Sequence, residues 1–196
     1  MGILYAFTPF ILFALIASVT LSMSLALWVA FAAAFTIAIR DFAHSKSLRA
    51  FDIGGVLLFG LLALYVGFVQ PGLKNETVRL VVDCALLLIA LGSIALRNPF
   101  TSAYAREFTP RDAWGSAAFI RANYIITALW AAAFAATGAA DAVANFDSRF
   151  PLSLDTAIGL AVLGLAVVVT ARYRFSARAP AGPAAAPSRE ATTIRR

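Results

Sequence analysis

Apolar side chains run almost unbroken through six stretches of this chain, near residues 4–20, 23–39, 53–70, 77–96, 120–140 and 153–171. An α-helix rises 1.5 Å per residue, so about 20 apolar residues cross the ~30 Å hydrocarbon core of a bilayer. Backbone in lipid must satisfy its own N–H and C=O groups, which restricts a spanning chain to helices or a closed barrel. Runs of this length predict helices. Composition agrees: 61% of the 196 residues are hydrophobic and only 13% charged, against about 45–50% and about 25% in a soluble domain. The expected fold is all-α, a bundle of six transmembrane helices over residues 1–175. Ser18, Thr20, Ser22 and Ser24 separate the first two runs and predict a tight hairpin there. Pro9 predicts a kink in the first helix, and no removable signal peptide is read at the N-terminus.

Charge sets the expected orientation. The segments 40–52 and 97–121 and the tail from 172 carry 13 basic and 5 acidic residues, whereas the opposite turns carry 3 and 5. Basic loops stay cytoplasmic, which places both termini on the cytoplasmic side of the membrane. The arginines at that edge then meet anionic headgroups. They are spread along the bundle's rim rather than gathered on one globular face, so no nucleic-acid partner is expected. Residues 176–196, with Pro180, Pro183 and Pro187 among arginines and alanines, predict a disordered cytoplasmic tail.

Several chemistries are excluded by counting. Cys84 is the single cysteine and His44 the single histidine. No intramolecular disulfide, bis-histidine haem or paired-histidine zinc site can be built from them. Gly-x-Ser-x-Gly and phosphate-cradling glycine loops are missing as well. No catalytic, cofactor or metal site is expected, and the chain is read as a non-enzyme. Asp141, Asp147 and Asp155 lean toward the outer face but lack the spacing of a calcium loop.

Ionisable residues within the spans carry the most information. Arg79 and Asp83 lie four residues apart in the fourth run, on one helical face, and form a candidate polar intramembrane site. Two readings stand: an Arg79–Asp83 ion pair near the outer interface, or a proton or cation relay. The segment between the fourth and fifth runs is a candidate docking elbow made of Phe100, Tyr104, Arg106, Glu107, Phe108, Arg111 and Trp114. Phe100, Tyr104 and Phe108 fall at i, i+4 and i+8, the stripe of a short interfacial helix, leaving Arg106 and Glu107 to the cytosol or a partner. Thr109-Pro110-Arg111-Asp112 reads as the start of the next helix, with Thr109 as its N-cap. Two alanine stripes, Ala26/30/34/38 and Ala128/132/136/140, are packing faces for a neighbouring helix or for a homodimer seam.

Phe7-Thr8-Pro9-Phe10-Ile11-Leu12-Phe13, the Pro99-Phe100 elbow, Trp114, Asn123 and the Ala/Gly-rich fifth run together resemble the bacterial intracellular septation protein A family. The likeness covers roughly residues 5–175, and the chain departs from it at Tyr104-Ala105-Arg106-Glu107 and in its longer tail. The resemblance implies a bacterial inner-membrane protein with a structural or interaction role in envelope growth or septation, and division or envelope proteins as partners. The alternative from a different class is a small transporter or channel built around Asp83 and Arg79.

Overall fold

The computed structural model describes residues 5–19, 22–45, 49–147 and 152–176. The tail expected over 176–196 lies, but for Ser176, outside them. Within them every element is helical: α1 (Thr8–Val19), α2 (Met23–Ser45), α3 (Ala50–Leu64, widening into a π-helical turn at Tyr65–Val69), α4 (Asn75–Ala95), the short α5 (Phe100–Ala105), α6 (Ala117–Phe146) and α7 (Leu152–Ser176). Five of these are long and apolar enough to cross a membrane: Met23–Ala43, Phe51–Val69, Asn75–Ala95, Ala117–Phe146 and Leu154–Tyr173. The first apolar run forms the shorter helix α1. Tyr5 and Ala6 are helical, Phe7 is a turn, and α1 restarts at Thr8 with Pro9 as its second residue, so the helical path is interrupted beside Pro9, whose missing N–H has no partner to lose in this first turn.

The most extensive helix pairing joins α4 to α6, with α2 against α3, α1 against α2, and α6 against α7. Small residues make the close approaches. Ala26, Ala30, Ala34 and Ala38 are all buried within the chain, which removes that stripe from any homodimer seam. Ala128, Ala132 and Ala136 remain on the outer surface. Aromatic rings fill the centre. Phe7 stacks on Trp130 at 4.3 Å, Phe51 stacks on Phe100 at 5.0 Å, and Phe10 bridges Phe51 and Phe59.

At its C-terminus α4 ends in a left-handed turn. Arg97 has φ 55°, its N–H bonds to Ile94 O, and Asn98 N–H reaches back to Ser93 O at 2.9 Å. This is the Schellman arrangement, here with arginine in place of the usual glycine. Pro99 prevents continuation, and the Ser93 hydroxyl accepts the Phe100 N–H at 3.1 Å to start α5. The predicted elbow helix stops at Ala105 and gives way to 3₁₀ turns at Arg106–Phe108 and Arg111–Ala113. The predicted Thr109 cap is not used. Ser116 caps α6 instead, accepting from Phe119 N–H, while the Thr109 hydroxyl donates to Ala105 O.

Candidate functional site

The cluster at one end of the bundle is assembled by three helices. Arg79 stands one turn into α4, Asp155 lies in the first turn of α7, and Asp141 sits in the last turn and a half of α6. All three helix ends lie on the side opposite the elbow. Arg79 Nε is 3.2 Å from Asp141 and its terminal nitrogen 2.9 Å from Asp155, with a longer bond to the Thr156 hydroxyl at 3.3 Å. The expected i,i+4 pair with Asp83 is therefore replaced. Arg79 spans outward to two other helices, because a carboxylate on a facing helix can meet the guanidinium fork more directly than one on its own helix face.

Asp83 stays in the cluster by another route. It lines the same cavity as Asp141 and Thr137, whose hydroxyl donates to the Ala133 and Phe134 carbonyls. Gly138 makes room for it: a Cβ there would already touch Asp83 Cβ at 3.4 Å. Asp141 and Asp155 are 3% and 1% exposed, and Asp155 Oδ1 has no hydrogen-bond partner. Two carboxyl groups thus share one guanidinium, and a third, Asp83, lines the same cavity beside them. Uncompensated charge inside a bilayer is costly. The surplus must be balanced by protons or by a bound cation.

A cavity of about 360 Å³ opens beside this cluster. Arg79, Asp83, Thr137, Asp141 and Thr156 form its polar end; Phe10, Phe13, Leu86, Trp130, Phe134 and Leu163 are among its apolar walls. Trp130, Phe134, Thr137 and Asp141 follow one another along a single face of α6, so the cavity reaches about 16 Å along that helix at 1.5 Å per residue. Trp130 is buried, and its Nε1–H finds no acceptor.

The elbow end holds a second, smaller polar group. The Tyr104 hydroxyl donates to Asp52 at 3.0 Å, and the Arg49 guanidinium lies 4.6 Å from the Tyr104 ring centre. Arg49 also pairs with Asp41 at 2.9 Å and with Glu107. Phe100 and Tyr104 are buried against the bundle while Phe108 is not, so the expected stripe is broken where the helix ends. Glu107 is tied back to Arg49, and Arg106 and Arg111 lie over the Trp114 ring at 5.3 and 5.8 Å. Thr101 anchors α5 to α6 through Asn123 O and Thr127. Burial, reinforced by Asp52, pushes the Tyr104 phenol well above the ordinary tyrosine value. A raised value in the folded state means that Tyr104 contributes stability in full below about pH 10 and loses it as pH climbs beyond. Thermal unfolding of the purified protein between pH 8 and 11.5 checks this. The wild type should lose stability above pH 10, and Tyr104→Phe should remove part of that loss.

No family model, curated protein or solved structure matches this chain. Nothing but the geometry therefore bears on the site. Sequence reading found Arg79 and Asp83 but assigned Asp141 and Asp155 to outer turns and Asp52 to a loop.

Proposed function

We propose that this protein is a small proton-carrying transport protein of the cytoplasmic membrane, with Asp83 and Asp141 as the groups that take up and release the proton. The observation that carries this reading is a third carboxyl, Asp83, lining the cavity beside an arginine already paired with Asp141 and Asp155. Asp141 and Asp155 already take up the Arg79 fork, and Asp83 has no such structural purpose. Arg79 sets the charge balance of the cluster through Asp141 and Asp155. The aromatic packing of Phe7, Phe51, Phe100 and Trp130 closes the elbow side, with the Arg49 clasp on Asp41 and Glu107 outside it. The distribution of arginines supports an orientation in which the elbow faces the cytoplasm and the cluster the exterior. α1 serves as a sixth, short span beside the cavity.

Proton flux into vesicles containing the purified protein, followed by a trapped pH dye under an imposed gradient, tests the reading. Flux should exceed that of protein-free vesicles and fall at least tenfold in Asp83→Asn, whose melting temperature should stay near wild type because Asp83 is not an ion-pair partner of Arg79. Flux equal to that of empty vesicles, or unchanged in the variant, counts against it.

The role in envelope growth or septation implied by the family resemblance is kept as the second reading. It draws support from the elbow, which presents Arg106, Phe108, Pro110, Arg111 and Asp112 side by side at the surface.

A further inference from the structure

The walls of the cavity say what kind of molecule would lodge there. Its polar end has more carboxyl than guanidinium groups, so it favours a cation over an anion. A small inorganic cation is poorly served. Calcium and magnesium take six or more oxygens, Arg79 stands inside the cluster, and no group of three metal-binding side chains with suitable geometry occurs among the described residues. Beyond the cluster the lining is hydrocarbon and aromatic. A guest must therefore join one positive charge to an apolar body, as pockets of this size do with drug-sized ligands.

Two further observations point to an occupant independently of the acids. The Trp130 Nε1–H is buried on the cavity wall with no acceptor, and a buried donor left unpaired is destabilising. Gly159 and Gly164 of α7 also line the cavity, and a Cβ at either would meet nothing within 4 Å. The described residues leave the space beside that wall, with Gly164 itself exposed, unfilled.

The rim shows the way in. Ile11, Leu15 and Leu160 border the cavity and are 48%, 52% and 62% exposed. α1 and α7 flank it without extensive contact between their described residues. The opening between them lies along apolar helix surface and faces the lipid.

We propose that the cavity binds amphipathic organic cations, monovalent and with an aromatic or aliphatic body, which enter from the bilayer between α1 and α7. The cationic group sits at Asp83 and Asp141, and the body lies along Phe134, Trp130 and Leu163. An acceptor atom on the body meets Trp130 Nε1–H. This inference rests on the carrier reading for its purpose but not for its test. Protons and the cation compete for the same carboxyls. The charged groups facing Asp83 are Arg79 on its own helix, Asp141 on α6 and Asp155 on α7.

Equilibrium binding of tetraphenylphosphonium to the detergent-purified full chain is the direct test, with tetraphenylborate as the anion of the same shape. The phosphonium should bind at least tenfold more tightly than the borate at pH 8, and weaken as pH falls to 5. Asp83→Asn should reduce phosphonium affinity at least tenfold. Gly164→Leu should do the same by filling the cavity while leaving the carboxyls and the melting temperature in place. Equal affinity for the two ions, or binding indifferent to Gly164→Leu, overturns the proposal. Selective phosphonium binding without proton flux in vesicles would leave this inference standing and remove the carrier reading; flux without selective binding would do the reverse.

Discussion

Arg79→Met is expected to be the most damaging single substitution in the chain. It leaves Asp141 and Asp155, both nearly inaccessible, without the guanidinium that lies 3.2 and 2.9 Å from them. Breaking a buried ion pair by removing one partner costs about 3–5 kcal/mol, because the other charge stays buried and uncompensated. The loss should appear as a collapse in the yield of monodisperse protein and a melting temperature lowered by many degrees. Removing the acids together with the base should restore much of it. Arg79→Met with Asp141→Asn and Asp155→Asn is expected to fold close to wild type, since replacing a buried charge set by neutral groups is often neutral or stabilising. If the triple variant is as unstable as the single one, Arg79 stabilises the bundle by packing its stem and not by its charge.

Phe51→Ala is the second. The Phe51 ring is 2% exposed and sits among Phe7, Phe10, Phe100 and Tyr104 at centre distances of 5.0 to 6.4 Å. Deleting a buried phenyl ring costs about 3–5 kcal/mol. Lipid supplies no hydrophobic drive between helices, so the cost here is lost dispersion and an empty space, and the lower end of that range is expected. The effect should be unevenly distributed. Phe51 is where α5 rests on the bundle, so trypsin should cut the variant at Arg106 or Arg111 well before it unfolds globally. Thermal unfolding and the rate of limited proteolysis separate the two effects.

Much of the architecture could be read from the apolar runs, since a 3.6-residue helix of membrane-spanning length has few alternatives in lipid. What the runs concealed was the length of α6. It continues through Phe146 because Ala139, Ala140, Ala142 and Ala144 keep the helix going, and helix propensity decides where packing does not. Ending that run near 140 turned Asp141 into a loop charge and hid the polar end of the cavity. Trp130, Phe134, Thr137 and Asp141 at i, i+4, i+7 and i+11 were the available signal, a single face ending in an acid. Asp155 was hidden for a different reason. Its partner is on another helix, and no spacing within one segment reveals a contact made across three. The elbow was visible as a break but not as a plug, because the burial of Phe100 and Tyr104 depends on where Pro99 redirects the chain.

Asp83 lies eight residues into α4, about 12 Å from the helix start at 1.5 Å per residue. Some of that length belongs to the headgroup zone, which puts the carboxyl about a third of the way through the hydrocarbon. A unit charge crossing the whole bilayer exchanges about 2.3 kcal/mol with each 100 mV of membrane potential. A cation or proton drawn to Asp83 from outside would gain about a third of that, roughly fourfold in occupancy at 298 K. The energised state of the cell would then load this site without any movement of the helices, and a de-energised membrane would empty it.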